Sequence, residues 1–232
     1  MNKIIMFLII GLSFFAYSND YPKPKFKKQI KKFTEADTKN PPQKGQILCI
    51  GSSSIRMWHE TIDRDLHPLS LIKRGFGGSM MNEVLHYSDS IVIPCKPRAI
   101  LLYEGDNDIS KGIDEQNILK AFESFVSKVH TELPDCRIYI ISVKPSIKRE
   151  ALWPKQRALN KKLETFCETD AKLFYLDIAS VLLNEDGSIK KEMFIEDMLH
   201  LNEQGYKAWN SVIRPTLIRN ELKYEKLSKA KK

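Results

Sequence analysis

Apolar and polar residues follow two different rhythms along this chain. Short apolar or β-branched runs recur at 46–50, 70–74, 98–103, 137–143 and 172–177. Each is of strand length, which predicts five strands. Between them the apolar residues fall at helical spacing, over about 54–66, 79–93, 114–132 and 153–169, with a last helix at about 203–221. The third of these carries Ile118, Leu119, Phe122, Phe125, Val126 and Val129 on one face, and Asp114 stands where an N-cap belongs. Ahead of the first strand, Phe26, Ile30 and Phe33 predict a short helix that Asn40-Pro41-Pro42 ends. Strands alternating with helices imply a parallel sheet covered on both faces. With no internal repeat and no second-domain linker, the pattern predicts one α/β domain, a three-layer α/β/α sandwich.

Composition fits that picture and adds a leader. The 232 residues are 42% hydrophobic and 28% charged, the profile of one globular domain with a substantial core. Residues 1–18 stand apart, with Lys3 as a positive start, Ile4 to Phe15 as an apolar stretch and Ala16-Tyr17-Ser18 as a small-x-small cleavage site. This reads as a secretory signal peptide, too short for a comfortable membrane span. An exported protein, periplasmic or secreted, is expected, with no stable membrane span after cleavage. Residues 19–45 form a basic, proline-containing lead-in, 46–221 the domain and 222–232 a basic tail. Loss of the leader removes one lysine and lowers the net charge from +8 to +7. Much of the excess lies in Lys23 to Lys32 and Lys223 to Lys232, clusters without interleaved aromatics or a nucleic-acid-binding motif. They read as a solvated basic surface suited to anionic lipid or polysaccharide, not to nucleic acid.

The four cysteines, Cys49, Cys95, Cys136 and Cys167, form no CxxC and have no histidine at metal spacing, so neither a metal nor another cofactor is expected. An oxidising compartment permits pairing. Cys95 and Cys136 each precede an apolar strand by a few residues, and in a flavodoxin-like strand order those strands are parallel neighbours. A Cys95–Cys136 disulfide is therefore expected at the amino edge of the sheet. Cys49, inside a strand, reads as a buried thiol.

The chemistry is concentrated where apolar runs give way to glycine and small polar residues, the strand ends at which open α/β folds place their ligands. Ser53 follows the first strand and opens a helix, where a serine is either a cap or a nucleophile in need of a base. Gly75-Phe76-Gly77-Gly78 follows the second strand. As a dinucleotide fingerprint it fails, because its third glycine would fall at Met80. As a source of a backbone N–H that a substrate can approach, Gly78 fits an oxyanion hole. Asn107, in Gly105-Asp106-Asn107-Asp108, offers a side-chain amide as a second donor, or is simply a turn residue. Asp197 and His200, three residues apart before the last helix, can set a carboxylate against one imidazole nitrogen and leave the other for a serine. His59, His67, His86 and His130 have no such setting.

Taken in order, these blocks resemble those of the SGNH (GDSL-type) hydrolase family over residues 46 to about 210. The resemblance implies a serine esterase with Ser53 as nucleophile, His200 as general base and Asp197 as its orienting carboxylate. The oxyanion hole it implies consists of the Ser53 and Gly78 N–H groups and the Asn107 amide. The usual Gly-Asp-Ser is here Gly51-Ser52-Ser53, similar to Gly-Ser-Ser-Ser variants followed by Ile-Arg-x-Trp, as Ile55-Arg56-Met57-Trp58 is. Glu104 adds a carboxyl beside the third block. Expected substrates are small-molecule, glycan or lipid esters, with short acyl or acetyl groups favoured. Lysophospholipase, thioesterase or acyltransferase activity would use the same residues, and a catalytically silent glycan-binding domain is the non-enzyme alternative.

Overall fold

Five short strands carry the sheet: β1 (Ile47–Gly51), β2 (Leu71–Gly75), β3 (Ala99–Tyr103), β4 (Arg137–Ile141) and β5 (Leu173–Leu176). This computed structural model describes residues 21–225, so the proposed leader and the end of the basic tail lie outside the described residues. All neighbouring strands run parallel in the order β2-β1-β3-β4-β5, the flavodoxin-like arrangement, whose direction of winding reverses between β1 and β3. Every residue of β1 and β3 is buried, as central strands covered on both faces must be. The period of two then divides the core. Leu48, Ile50, Ile100, Leu102, Ile138 and Ile140 enter one apolar cluster, and Ile47, Cys49, Leu101, Tyr103, Tyr139 and Ile141 the other.

The helices are α1 (Lys27–Lys39), α2 (Ser53–Trp58), α3 (Ile62–Asp65), α4 (Met81–Ile91), α5 (Asp106–Ser110), α6 (Glu115–Glu132), α7 (Trp153–Cys167) and α8 (Glu203–Glu221). Buried residues of α1, α4, α6 and α7 fill the first cluster, and those of α2, α3 and α8 the second. The result is the expected three-layer α/β/α sandwich. Asp114 caps α6 by accepting the Asn117 N–H at 2.8 Å. The single helix expected over 54–66 is two, α2 and α3. The Asp65 carboxylate joins them by accepting from Trp58 Nε1 (2.8 Å) and Thr61 Oγ1 (2.7 Å), which leaves Trp58 free to stack on Tyr206.

The lead-in is tied to the body. Ile30 is buried, Phe26 packs edge-on against Phe76, and Asp37 pairs with Arg74, whose guanidinium lies over Phe33. At the amino edge of the sheet, Glu221 is wholly buried and accepts from Arg98 (3.0 Å), Arg137 (2.5 and 2.8 Å) and Tyr139 (2.7 Å). Burial opposes its charge, but these donors outweigh burial and hold the carboxyl below the usual range. The last turn continues to Glu225, which accepts from Ser70 and pairs with Arg98.

The expected disulfide does not form. All four cysteines are free, buried thiols. Cys95 ends a 3-10 turn (Ile93–Cys95) and points back to the Ile91 carbonyl and to Arg74 on β2, with β1 and β3 between it and β4. Cys136 lies one residue before β4 and directs its Sγ to the Arg137 carbonyl. The two share a sheet edge, but their side chains leave it in different directions. Burial raises the Cys95 thiol and pushes Cys136 up to about 12, so neither forms a thiolate near neutral pH.

Candidate active site

Three strand ends and the loop before α8 deliver the site, and glycine makes the close approaches at β1 and β2 possible. Gly51 ends β1 at φ 148°, where a Cβ would stand 2.1 Å from the Tyr103 carbonyl oxygen. At the end of β2, a Cβ on Gly75 would meet the Arg56 backbone N at 2.3 Å, so only glycine lets α2 descend onto the sheet. Ser53 opens α2, and the Tyr206 hydroxyl of α8 braces that turn by donating to the Ser54 carbonyl at 2.8 Å.

His200 Nε2 lies 2.8 Å from Ser53 Oγ, and its Nδ1 lies 2.5 Å from Asp197 Oδ2. The carboxylate can only accept, so Nδ1 carries the proton and Nε2 accepts from the serine hydroxyl. The other Asp197 oxygen accepts the Leu199 and His200 N–H groups, each at 2.9 Å. Met198, at φ 56°, makes the tight turn that allows three-residue spacing to close this ring. Burial opposes the Asp197 charge, but the His200 backbone and ring and the Leu199 N–H bring its pKa down to about 2.

Opposite the imidazole, Gly78 has φ 87° and open space where a Cβ would stand. Neither its N–H nor that of Ser53 meets an acceptor among the described residues. Asn107 donates through Nδ2 to the Ser79 carbonyl (2.9 Å) and accepts through Oδ1 from Arg149 (3.0 Å). An arginine only donates and a carbonyl only accepts, so both contacts fix the same orientation of the amide and leave one N–H for the cleft. Ser53, Gly78, Asn107 and His200 line one open cleft of about 530 Å³, together with Phe26, Gln29, Arg56, Phe76, Gly77 and Leu199.

The structure thus brings together every residue singled out for chemistry, and adds some that no motif announces. Arg149 bridges Asn107 to Asp106 (2.7 Å), whose carboxylate also holds Lys144 (3.2 Å) and Gln156 (2.8 Å). Burial opposes the Asp106 charge, but Lys144 and then Arg149 outweigh it and lower its pKa. Glu104 lies outside the cleft, buried, and accepts from Ser79 Oγ at 2.5 Å. Burial and then Asp108 push its pKa well above the usual carboxylate value. His59 accepts the Gly75 N–H at 3.1 Å, and burial, followed by Lys73, lowers its pKa to about 4. Its role is to hold β2, not to move protons. Among the described residues no cluster of His, Cys, Asp and Glu could hold a metal, and no helix is long and apolar enough to cross a membrane.

Residues 50–208 match the model of the GDSL-like lipase/acylhydrolase family. The chain belongs to that family, the SGNH hydrolases, whose members act on esters. Among curated protein sequences none matches. Solved structures give the same fold. A GDSL-like lipase from Bacteroides thetaiotaomicron superposes with TM-score 0.72 at 16% identity, over 82% of this chain and 97% of that one. A proposed acylhydrolase from Bacteroides fragilis does so with TM-score 0.73 at 18%, over 84% and 98%. A variant of an acetyl-xylooligosaccharide esterase from Geobacillus Stearmophilus gives 0.61 at 12%, over 81% and 98%.

Proposed function

We propose that the protein is an exported serine esterase that hydrolyses short-chain, chiefly acetyl, carboxylic esters. The observation that carries this is the chain Ser53 Oγ–His200 Nε2–Asp197, at 2.8 and 2.5 Å, opening on a cleft that Gly78 and Asn107 share. His200 takes the Ser53 proton as Oγ attacks the acyl carbonyl. The oxyanion that forms is held by the Ser53 and Gly78 N–H groups and the Asn107 amide. The intermediate collapses as His200 returns the proton to the leaving alcohol. Water, deprotonated by the same imidazole, then releases the acid and regenerates Ser53. Asp197 stays ionised throughout and steadies the imidazolium.

Support for a short acyl group comes from the cleft, which is open. Its apolar lining is limited to Phe26, Phe76 and Leu199 beside the polar groups. One structural neighbour is an acetyl-xylooligosaccharide esterase by name, which fits an acetylated glycan as the substrate. Export rests on the leader sequence in residues 1–18. The test is direct. Ser53→Ala is expected to abolish turnover across acyl esters of graded length while thermal unfolding is unchanged, and a fluorophosphonate probe should label Ser53 in the wild type alone. Near-normal hydrolysis by Ser53→Ala would overturn the assignment.

A further inference from the structure

Arg56 is the one residue with a fixed charge among those lining the cleft. It is exposed and, among the described residues, its guanidinium makes no ion pair and no hydrogen bond; Glu60, one turn further on, does not pair with it. Its position is nevertheless specific. The guanidinium lies against Gly77, where a Cβ would be 2.8 Å from Nε and 3.3 Å from both Cζ and Nη2. Only a residue without a side chain leaves that place free. Covalent geometry then puts Arg56 Nε within about 7 Å of the Gly78 N–H, which faces the reacting carbonyl in the esterase reading. The start of α1 brings Phe26, which packs on Phe76, and Gln29 to the same cleft, with the exposed Lys32 one turn from Gln29 and the exposed Lys25 and Lys28 beside it; none of these lysines is ion-paired among the described residues. None of the site's carboxyls pairs with it among the described residues: Asp197 is held by His200, Asp106 by Lys144 and Arg149, and Glu104 is buried against Ser79.

We propose that Arg56 binds an anionic group of the substrate, a carboxylate or phosphate carried a few bonds from the scissile ester. This rests on the esterase reading and names its substrate class. A planar guanidinium with free N–H groups pairs with either anion through two parallel hydrogen bonds, and the basic face of α1 draws such molecules to the same mouth. The leading candidates are an acetylated acidic sugar and an acyl glycerol phosphate, which share this chemistry.

The experiment compares 4-acetoxybenzoate with its neutral methyl ester, in wild type, Arg56→Gln and Arg56→Lys. The wild type should favour the anionic ester in kcat/KM, and the preference should shrink with added salt. In Arg56→Gln the anionic-to-neutral ratio should fall roughly ten- to a hundred-fold, the range of one charge-assisted pair, with partial recovery in Arg56→Lys. An acetylated galacturonate oligosaccharide and a short-chain acyl glycerol phosphate, run beside their neutral counterparts, identify which source the cleft prefers. A wild-type ratio near one, or an equal loss on both esters in Arg56→Gln, overturns the charge proposal alone. No hydrolysis of any ester together with no fluorophosphonate labelling of Ser53 overturns the esterase reading and this proposal with it.

Discussion

The carboxamide of Asn107 is held at both ends, by the Ser79 carbonyl and by Arg149. Asn107→Ala should lower kcat by about 10² to 10³, the usual effect of losing one oxyanion donor. Arg149 touches no reacting atom and acts through that amide. Arg149→Ala should therefore lower kcat by roughly ten- to a hundred-fold, the worth of a charge-assisted hydrogen bond, with KM little changed. It should cost almost nothing further in an Asn107→Ala background, and additive losses in that double-mutant cycle would contradict the positioning role. Asp197, with its pKa brought down to about 2, releases no proton above about pH 4. The acid limb of the kcat/KM profile above that pH should have a slope of one, and a slope of two would mean that the carboxylate titrates as well. Ser53, Gly78 and Asn107 were legible in the sequence because each sits at an abrupt change from apolar run to glycine or small polar residues, and Asp197 and His200 because their three-residue spacing before the last helix suits a carboxylate–imidazole pair. Arg149, Lys144 and Gln156 were not. Their roles exist only because tertiary packing buries Asp106 among them, and no local pattern encodes a partner some 40 to 50 residues away.

The helices and strands were legible to different depths. The alternation located all five strands, since fully buried parallel strands read as unbroken apolar runs. Missing were the break between α2 and α3, where Asp65 competes for Trp58 and Thr61, and the short helix α5 that carries Asn107. A five-residue helix has too few turns to show a period, so Gly105-Asp106-Asn107-Asp108 reads as a turn. Its entry depends on Gly105, at φ 106°, where a Cβ would stand 2.8 Å from Val143 Cγ2 and 2.9 Å from Leu159 Cδ2. Gly105→Ala combines a left-handed backbone with overpacking and should reduce stability by about 2–4 kcal/mol in urea unfolding. The same displacement of α5 should lower kcat, because Asn107 moves with it.

At the scale of the whole molecule the cysteines had suggested a cross-link that packing replaces. Two apolar clusters, one on each face of the sheet, hold the layers together, and all four thiols are enclosed in them. Four thiols should react with a thiol reagent in denatured, unreduced protein, and reductant should leave the melting temperature unchanged; two reactive thiols would restore the bond. What joins the ends of the fold instead is charge, in Glu221 beneath Arg98 and Arg137. During synthesis the chain leaves the ribosome amino end first. Both guanidinium groups are therefore made long before the carboxylate that neutralises them, and the amino edge of the sheet stays electrically open until residue 221 has cleared the exit tunnel. A nascent chain halted short of that point would carry two unmatched cations under its sheet, so the domain is expected to reach its final form only after its last helix has been translated.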